Sequence, residues 1–137
     1  MDLRGLSVSG ATARDADFAC SNFARADFSR ATLTTAWFKA ADLTDADFSG
    51  ANLEDACFYN ANVKRAKFNG TPNTGVLRSA LRNACISLEG EGDKKEIISD
   101  SKEIRDLGAT LAWCSGPYRC EQSQARVGCP ATILEND

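Results

Sequence analysis

Six cysteines are the residues of this chain with the clearest capacity for covalent chemistry. Four of them, Cys85, Cys114, Cys120 and Cys129, lie in its second half. They can form two disulfides in any of three pairings, which would suit a small irregular cap in an oxidising compartment. Two alternatives stay open. One is a four-cysteine zinc site, although no C-x-x-C spacing occurs. The other is a set of free thiols buried as small apolar side chains.

The sequence gives little support for acid–base catalysis. The chain has no histidine, which removes the commonest general base and the usual partner of a nucleophilic Ser or Cys. Carboxylates are frequent, but Asp42 and Asp47 fall at a regular spacing that turns explain, because Asp side chains bond nearby backbone groups. We therefore predict that the protein is not an enzyme, with no catalytic residue, no cofactor and no metal.

A five-residue repeat sets the positions of these side chains. In AADLTDADFSGANLEDACF, residues 40–58, Ala returns every fifth residue and Leu or Phe follows two places later. Neither the 3.6-residue period of a helix nor the two-residue period of a strand produces this pattern, whereas a fixed internal repeat is typical of a solenoid. The apolar centres that keep this register are Leu3, Val8, Ala13, Phe18, Phe23, Phe28, Leu33, Phe38, Leu43, Phe48, Leu53, Phe58, Val63 and Phe68.

The repeat predicts a square coil with a filled lumen. One large and one small side chain in every five must point inward, and the Asp, Asn or Thr before each centre favours a turn. A chain that turns the same way every five residues closes a coil after four turns, and coils stack about 4.8 Å apart through ladder hydrogen bonds. Residues twenty apart then stack, which predicts two phenylalanine columns in the core: Phe18, Phe38, Phe58 and Phe28, Phe48, Phe68.

The stretches ADLTD, ADFSG and ANLED, residues 41–55, match the motif A(D/N)LXX, allowing Phe for Leu. Over residues 1–70 the chain resembles the pentapeptide-repeat family. That resemblance implies an all-β solenoid, a right-handed quadrilateral β-helix. Some members look like a rod of B-form DNA, bind DNA gyrase or topoisomerase IV, and dimerise end to end. Many others, including cyanobacterial and chloroplast-lumen proteins, have no assigned activity.

The repeat register breaks at NGTPNTG, residues 69–75. A new frame with centres Val76, Leu81 and Ile86 predicts an insertion loop and a final coil over residues 71–89, and an amphipathic helix from about Val76 is the alternative. From residue 90 the sequence is charged and mixed. We predict a partly helical C-terminal cap and tail over 90–137, because the open end of a solenoid must be covered.

Outward positions suggest where a partner would bind. The column Gly5, Arg25, Asp45, Arg65 predicts a solvated stripe of ion pairs. On another side, Trp37, Lys39 and Tyr59 are expected to form an exposed patch for a protein partner, with scattered surface decoration as the alternative. Cys20 and Cys57 face outward two coils apart, too distant to bridge each other. In an oxidising compartment they either bond the tail or stay free.

Charge separates the two functions that the resemblance implies. Residues 1–70 carry nine acidic and eight basic side chains, and such a neutral rod is a poor mimic of polyphosphate. We predict a structural or protein-interaction module with an unknown protein partner, either a monomer or an end-to-end dimer, with a gyrase or topoisomerase IV modulator as the alternative. Nucleic acid is not an expected partner, because the net charge of the chain is −3. A membrane is not expected either, since no apolar run approaches about 18 residues. The compartment is the periplasm or thylakoid lumen if the cysteines are oxidised, and otherwise the cytoplasm.

Overall fold

The computed structural model describes residues 2–71, 80, 81, 84–88 and 112–114. Residues 2–70 form a rod of stacked four-sided coils. Each side of a coil makes one parallel bridge to the residue twenty positions later, from Asp2 with Asn22 up to Asp47 with Lys67. The predicted closure of a coil after four repeats is therefore confirmed.

Twelve of the fourteen corners of the rod are tight turns with the same hydrogen bond. The N–H three residues after a centre donates to the carbonyl of that centre, as from Ala46 to Leu43 at 3.0 Å. The second residue after the centre has a positive φ, which is typical of a type II turn. Glycine holds only four of these positions, while ten other residues, Thr35 among them, adopt φ between 54° and 63°. The stacked ladder thus overrides a backbone preference that these side chains would show in isolation.

Small polar side chains before each centre complete the corners, as predicted. The Oδ1 of Asp27 accepts the Ser29 N–H at 2.9 Å, and that of Asn62 accepts the Lys64 N–H at 3.0 Å. The same bond forms at Asp17, Asn22, Asp42, Asp47 and Asn52. Trp37, Cys57 and Lys67 occupy this slot without a side-chain oxygen. Local turn formation therefore does not explain those three residue types.

Aromatic rings fill the lumen. The rings of Phe28 and Phe48 stack at 4.9 Å and those of Phe48 and Phe68 at 5.2 Å, and the other predicted column stacks at 5.1 and 4.9 Å. The two columns meet edge to face, at 5.6 Å between Phe38 and Phe48, an arrangement that aromatic quadrupoles favour. Five of the six predicted core phenylalanines are fully buried. Phe18, in the first coil, is only half-buried and packs against one end of the core.

The ladder continues beyond the break in the repeat. Strand β1 (Cys85–Leu88) extends the rod, because Cys85 bridges Asn62 in parallel, and strand β2 (Ala112–Cys114) pairs in parallel with β1. The offset from Asn62 to Cys85 is 85 − 62 = 23, which is a coil of twenty plus an insertion of three. Residues 85–88 are therefore a strand and not part of the alternative helix, whereas Ala80, within the range of that alternative, is α-helical. Residues 72–79 and the predicted cap, apart from β2, lie outside the described residues.

One outward column carries the predicted ion pair. Nε and Nη2 of Arg65 donate to the two carboxylate oxygens of Asp45 at 2.8 and 3.0 Å. The Arg65 hydrogen bond holds the pKa of Asp45 below its usual value, and Asp45 raises the pKa of Arg65. Both residues are exposed, so water and salt screen the pair and its contribution to stability is small.

We expect Asp45→Asn to lower the free energy of unfolding by less than about 1 kcal/mol at neutral pH. A carboxylate with a depressed pKa contributes stability above its unfolded-state pKa and loses it as the pH falls through the folded-state pKa. The difference from wild type should therefore shrink as the pH falls below the usual range of carboxyl pKa values. Urea unfolding of both proteins at neutral and acid pH measures this difference. A difference that grows in acid would contradict the assignment.

Candidate functional site, the Trp37 face

One side of the rod departs from the polar pattern of the other three. We call it the Trp37 face, and it consists of residues 17–20, 37–40 and 57–60. Asp17 bridges Trp37, and Trp37 bridges Cys57 one coil further on. Two of the three side chains in this column therefore lack the turn-forming oxygen that is usual at this slot.

Three large or reactive side chains of the Trp37 face, those of Trp37, Lys39 and Cys57, are buried although they point away from the lumen. Trp37 is 5% exposed, Lys39 is 6% exposed and Cys57 is 0% exposed. The residues in the same slot on the other sides of these coils are half-buried or exposed: Asn22, Asp27, Thr32, Asp42, Asp47, Asn52, Asn62 and Lys67. Trp37 and Cys57 form a small apolar cluster of their own, separate from the lumen, with Tyr59 packed against it.

The expectation that Trp37, Lys39 and Tyr59 form an exposed patch is wrong for two of the three residues. Only Tyr59 is half-buried, while Trp37 and Lys39 are buried. The repeat pattern does place these side chains together on one outward side, as expected. A five-residue period gives the direction of a side chain relative to its own coil, but it carries no information about what lies over that side.

Lys39 is the buried cation of this face. Its ammonium nitrogen lies 5.6 Å from the centroid of the Tyr59 ring, within the range of a cation–π interaction. Burial lowers the pKa of Lys39, because removal from water disfavours the charged ammonium. The aromatic ring offsets part of that cost by placing its negative face near the cation.

Two cysteines, Cys20 and Cys57, lie on the Trp37 face, and Cys85 extends the neighbouring column of Asn22, Asp42 and Asn62. Cys20, Cys57 and Cys85 are disulfide-bonded, and none of the described cysteines is a free thiol. The predicted pairing among Cys85, Cys114, Cys120 and Cys129 involves side chains outside the described residues and stays a prediction.

Cys20 also lies on the Trp37 face, although the sequence analysis did not place it there. Its N–H donates to the carbonyl of Lys39 at 2.9 Å, and the N–H of Ala40 donates to that of Tyr59 at 3.0 Å. Cys20 therefore lies at the corner directly beside the Lys39 column. The signal was present in the repeat, since residues 20, 40 and 60 occupy one corner column.

Neither a membrane-spanning helix nor a cluster of metal ligands occurs in the described part of the chain. No helix there has the length and apolar character needed to cross a bilayer. Within the same residues, His, Cys, Asp and Glu side chains do not gather into a group of three or more that could hold a metal ion.

The stacked coils and filled lumen define the class of protein as a four-sided β-helical solenoid. The family model for pentapeptide repeats matches eight copies across residues 2–34 and 36–70. This chain belongs to the pentapeptide-repeat family, and its fold is the right-handed β-helix of that family. A search among curated proteins gives no match.

Solved structures give the same family. A pentapeptide repeat protein from the thylakoid lumen of Arabidopsis thaliana is 26% identical, with a TM-score of 0.52 and coverage of 99% of this chain and 89% of that one. HetL from Nostoc sp. strain PCC 7120, involved in heterocyst differentiation regulation, is 27% identical over 61% of this chain and 37% of that one, with a TM-score of 0.29. Rfr23 from Cyanothece 51142 is 24% identical over 50% of this chain and 57% of that one, with a TM-score of 0.20.

Proposed function

We propose that this protein is a non-enzymatic interaction module, a rigid rod that presents outward side chains to a protein partner at a fixed spacing. The observation that supports this proposal best is the filled lumen, in which Phe28, Phe48 and Phe68 are each 0% exposed. Side chains that could recognise a partner therefore lie on the outer surface. They form columns in which neighbouring residues are about 4.8 Å apart. Flat, regular sides of this kind suit a macromolecule better than a small ligand, which usually needs a concave site.

We propose an oxidising compartment for this module. The disulfide-bonded state of Cys20, Cys57 and Cys85 supports it, because glutathione and thioredoxin keep most cytosolic thiols reduced. The similar structure from the thylakoid lumen of Arabidopsis thaliana also supports it. The thylakoid lumen and the periplasm are thus the compartments in which the partner is to be sought.

Affinity capture from the source organism, with the oxidised protein as bait, tests the proposed function. We expect a defined protein to be retained, and its purified form to bind the bait with a fixed stoichiometry in calorimetry. The double variant Arg25→Glu and Arg65→Glu is compared with the wild-type bait. It changes the charge of the outward surface and leaves the core intact, because both residues are exposed. Failure of any retained protein to bind in purified form, or turnover of a small molecule by the protein alone, would contradict the proposal.

We further predict that the protein does not inhibit DNA gyrase or topoisomerase IV. The nine acidic and eight basic residues of the rod nearly cancel, and Arg65 pairs with the exposed carboxylate of Asp45. A surface that imitates DNA must instead present uncompensated negative charge. A supercoiling assay with purified enzymes, and a known inhibitor as positive control, measures the effect. Inhibition at low micromolar protein would overturn this prediction in favour of the alternative function.

A further inference from the structure

We infer that Asn69 is a modification site, at which the side-chain amide reacts with the backbone nitrogen of Gly70 and is converted to a carboxylate. Asn69 and Gly70 form the only Asn–Gly pair in the chain. Glycine has no Cβ, so its nitrogen reaches the preceding side chain with the least steric hindrance. This inference is independent of the proposed function, because it concerns the chemistry of one corner of the rod.

The corner around Phe48, one coil below Asn69, shows how a corner of this column is normally held. Three hydrogen bonds restrain its backbone. They are Ser49 N–H to Asp47 Oδ1 at 2.9 Å, Ala51 N–H to the Phe48 carbonyl at 3.0 Å, and Gly50 N–H to the Asn69 carbonyl at 2.8 Å. The corner around Phe28, one coil lower, has the same three bonds.

The corner around Phe68, residues 67–71, makes none of the three corresponding bonds among the described residues. Lys67 has no side-chain oxygen to accept the Asn69 N–H. The N–H groups of Gly70 and Thr71 donate to no acceptor, and the Thr71 hydroxyl is buried without a hydrogen-bond partner. The attacking nitrogen is therefore not engaged in the ladder, and the backbone on both sides of it can rotate towards the side-chain amide.

Solvent access also distinguishes Asn69 from the asparagines within the rod. Asn69 and Gly70 are both exposed, so water and hydroxide reach the reacting atoms. In contrast, the side chains of Asn22 and Asn62 are half-buried and accept the N–H two residues later. The N–H that directly follows each of these two asparagines donates within the ladder at 2.8 Å. We therefore expect Asn22 and Asn62 to remain amides.

The reaction needs only water and hydroxide. Hydroxide removes the proton of the Gly70 nitrogen, which then forms a bond to Cγ of Asn69. The bond from Cγ to the side-chain nitrogen breaks, and this nitrogen takes up a proton and leaves as ammonia. Water opens the resulting five-membered imide at either carbonyl. Opening at the side-chain carbonyl gives aspartate, and opening at the backbone carbonyl gives isoaspartate, in which the main chain runs through Cβ and Cγ.

Either product changes the surface at the end of this column. It adds one negative charge beside the exposed Lys67. Isoaspartate also lengthens the main chain by one carbon, but its free carboxylate replaces the carbonyl that accepts the Gly50 N–H. The coils below therefore keep their ladder bonds. Because the reaction needs no enzyme, the modified fraction rises with the age of the molecule.

Tryptic peptide mapping of the purified protein during incubation at mildly alkaline pH tests the site. Peptide 68–78 contains Asn69 and Asn73, fragmentation in the mass spectrometer assigns the modified residue, and an isoaspartyl methyltransferase with labelled S-adenosylmethionine detects isoaspartate. We expect conversion of Asn69 at a rate within several-fold of that in a synthetic peptide of the same sequence. An unchanged Asn69 when the peptide is fully converted would overturn the inference.

Two variants separate the effect of the structure from that of the dipeptide. Ser49→Asn creates an Asn–Gly pair at a corner with all three bonds, and it should react several-fold more slowly than Asn69. Gly70→Ala should slow the reaction of Asn69 and keep the circular dichroism of the rod. Ala40 adopts a φ of 57° in the same slot, and the nearest atom to a Cβ at residue 70 is the Gly50 nitrogen at 4.0 Å. Equal rates at the two Asn–Gly pairs would contradict the role of the missing bonds.

Discussion

Replacing Phe48 by Ala should lower the free energy of unfolding by about 3–5 kcal/mol, because the lost burial of the ring and the cavity left behind both destabilise the fold. Phe48 is 0% exposed, and its ring stacks between those of Phe28 and Phe68 at 4.9 and 5.2 Å. The ladder holds the coils above and below at a fixed spacing, so the cavity cannot close. A loss of this size is a large part of the roughly 5–15 kcal/mol that stabilises a small domain.

Ser49→Ala is the matched control for Phe48→Ala. Ser49 is the next residue, half-buried and outside the core clusters, so we expect a change below about 0.5 kcal/mol. Thr44→Ala should also be mild, although it removes a hydroxyl that donates to Asp42 Oδ1 at 2.7 Å. Leu53→Ala, five residues after Phe48, should again be harmful because Leu53 is 2% exposed. Similar melting temperatures for Phe48→Ala and Ser49→Ala would contradict the square coil.

Enlarging the small inward residue should be almost as damaging as removing the large one. Ala46 is 0% exposed, and its backbone donates to Leu43 at 3.0 Å and accepts from Lys67 at 2.9 Å. A Leu side chain at this position has to displace the neighbouring rings or break those bonds. Overpacking of this kind typically costs about 1–3 kcal/mol, and Ala46→Leu should lie at the upper end because the ladder resists expansion.

Ala11→Leu is the control for Ala46→Leu. Ala11 occupies the same slot of the repeat but lies in the first coil, where it is only half-buried. A larger side chain there can extend past the end of the core, so the loss should be clearly smaller. Thermal and urea unfolding of the two variants beside wild type measure the contrast. Equal losses would mean that the slot does not face a closed lumen in the middle of the rod.

The repeat made the rod predictable because each slot has one physical task. Large centres such as Phe48 fill the lumen, alanines such as Ala46 let the backbone turn, and side chains such as Asp47 bond the corner. All three tasks recur every five residues, so chance agreement over many repeats is negligible. The register after residue 70 was harder to predict, because Leu81 and Ala84 fit both a helical and a square-coil pattern within a short segment.

The burial of the Trp37 face could not be predicted from the repeat. The repeat gives each side chain a direction, but the burial of an outward side chain depends on contacts beyond its own coil, and such contacts leave no regular trace in the sequence. The available hint was local, since Trp37 and Cys57 replace the oxygen-bearing residues that the corner normally uses. Phe18 shows the same limit at the end of the rod, where the pattern assigns a core position but the neighbouring coil on one side decides how much of the ring is buried.

The twenty-residue coil restricts how the length of such a rod can change during evolution. Deleting residues 42–61 would join Ala41 to Asn62, which occupy consecutive positions of the five-residue repeat. Every later side chain would then stay on the same side of the rod. Deleting a single pentapeptide between Trp37 and Cys57 would keep the core pattern but rotate everything beyond it by a quarter turn, which would carry Cys57 away from the side that bears Trp37. A rod with one distinguished face can therefore lengthen or shorten freely only by whole coils, whereas a rod with four equivalent faces can change by single repeats.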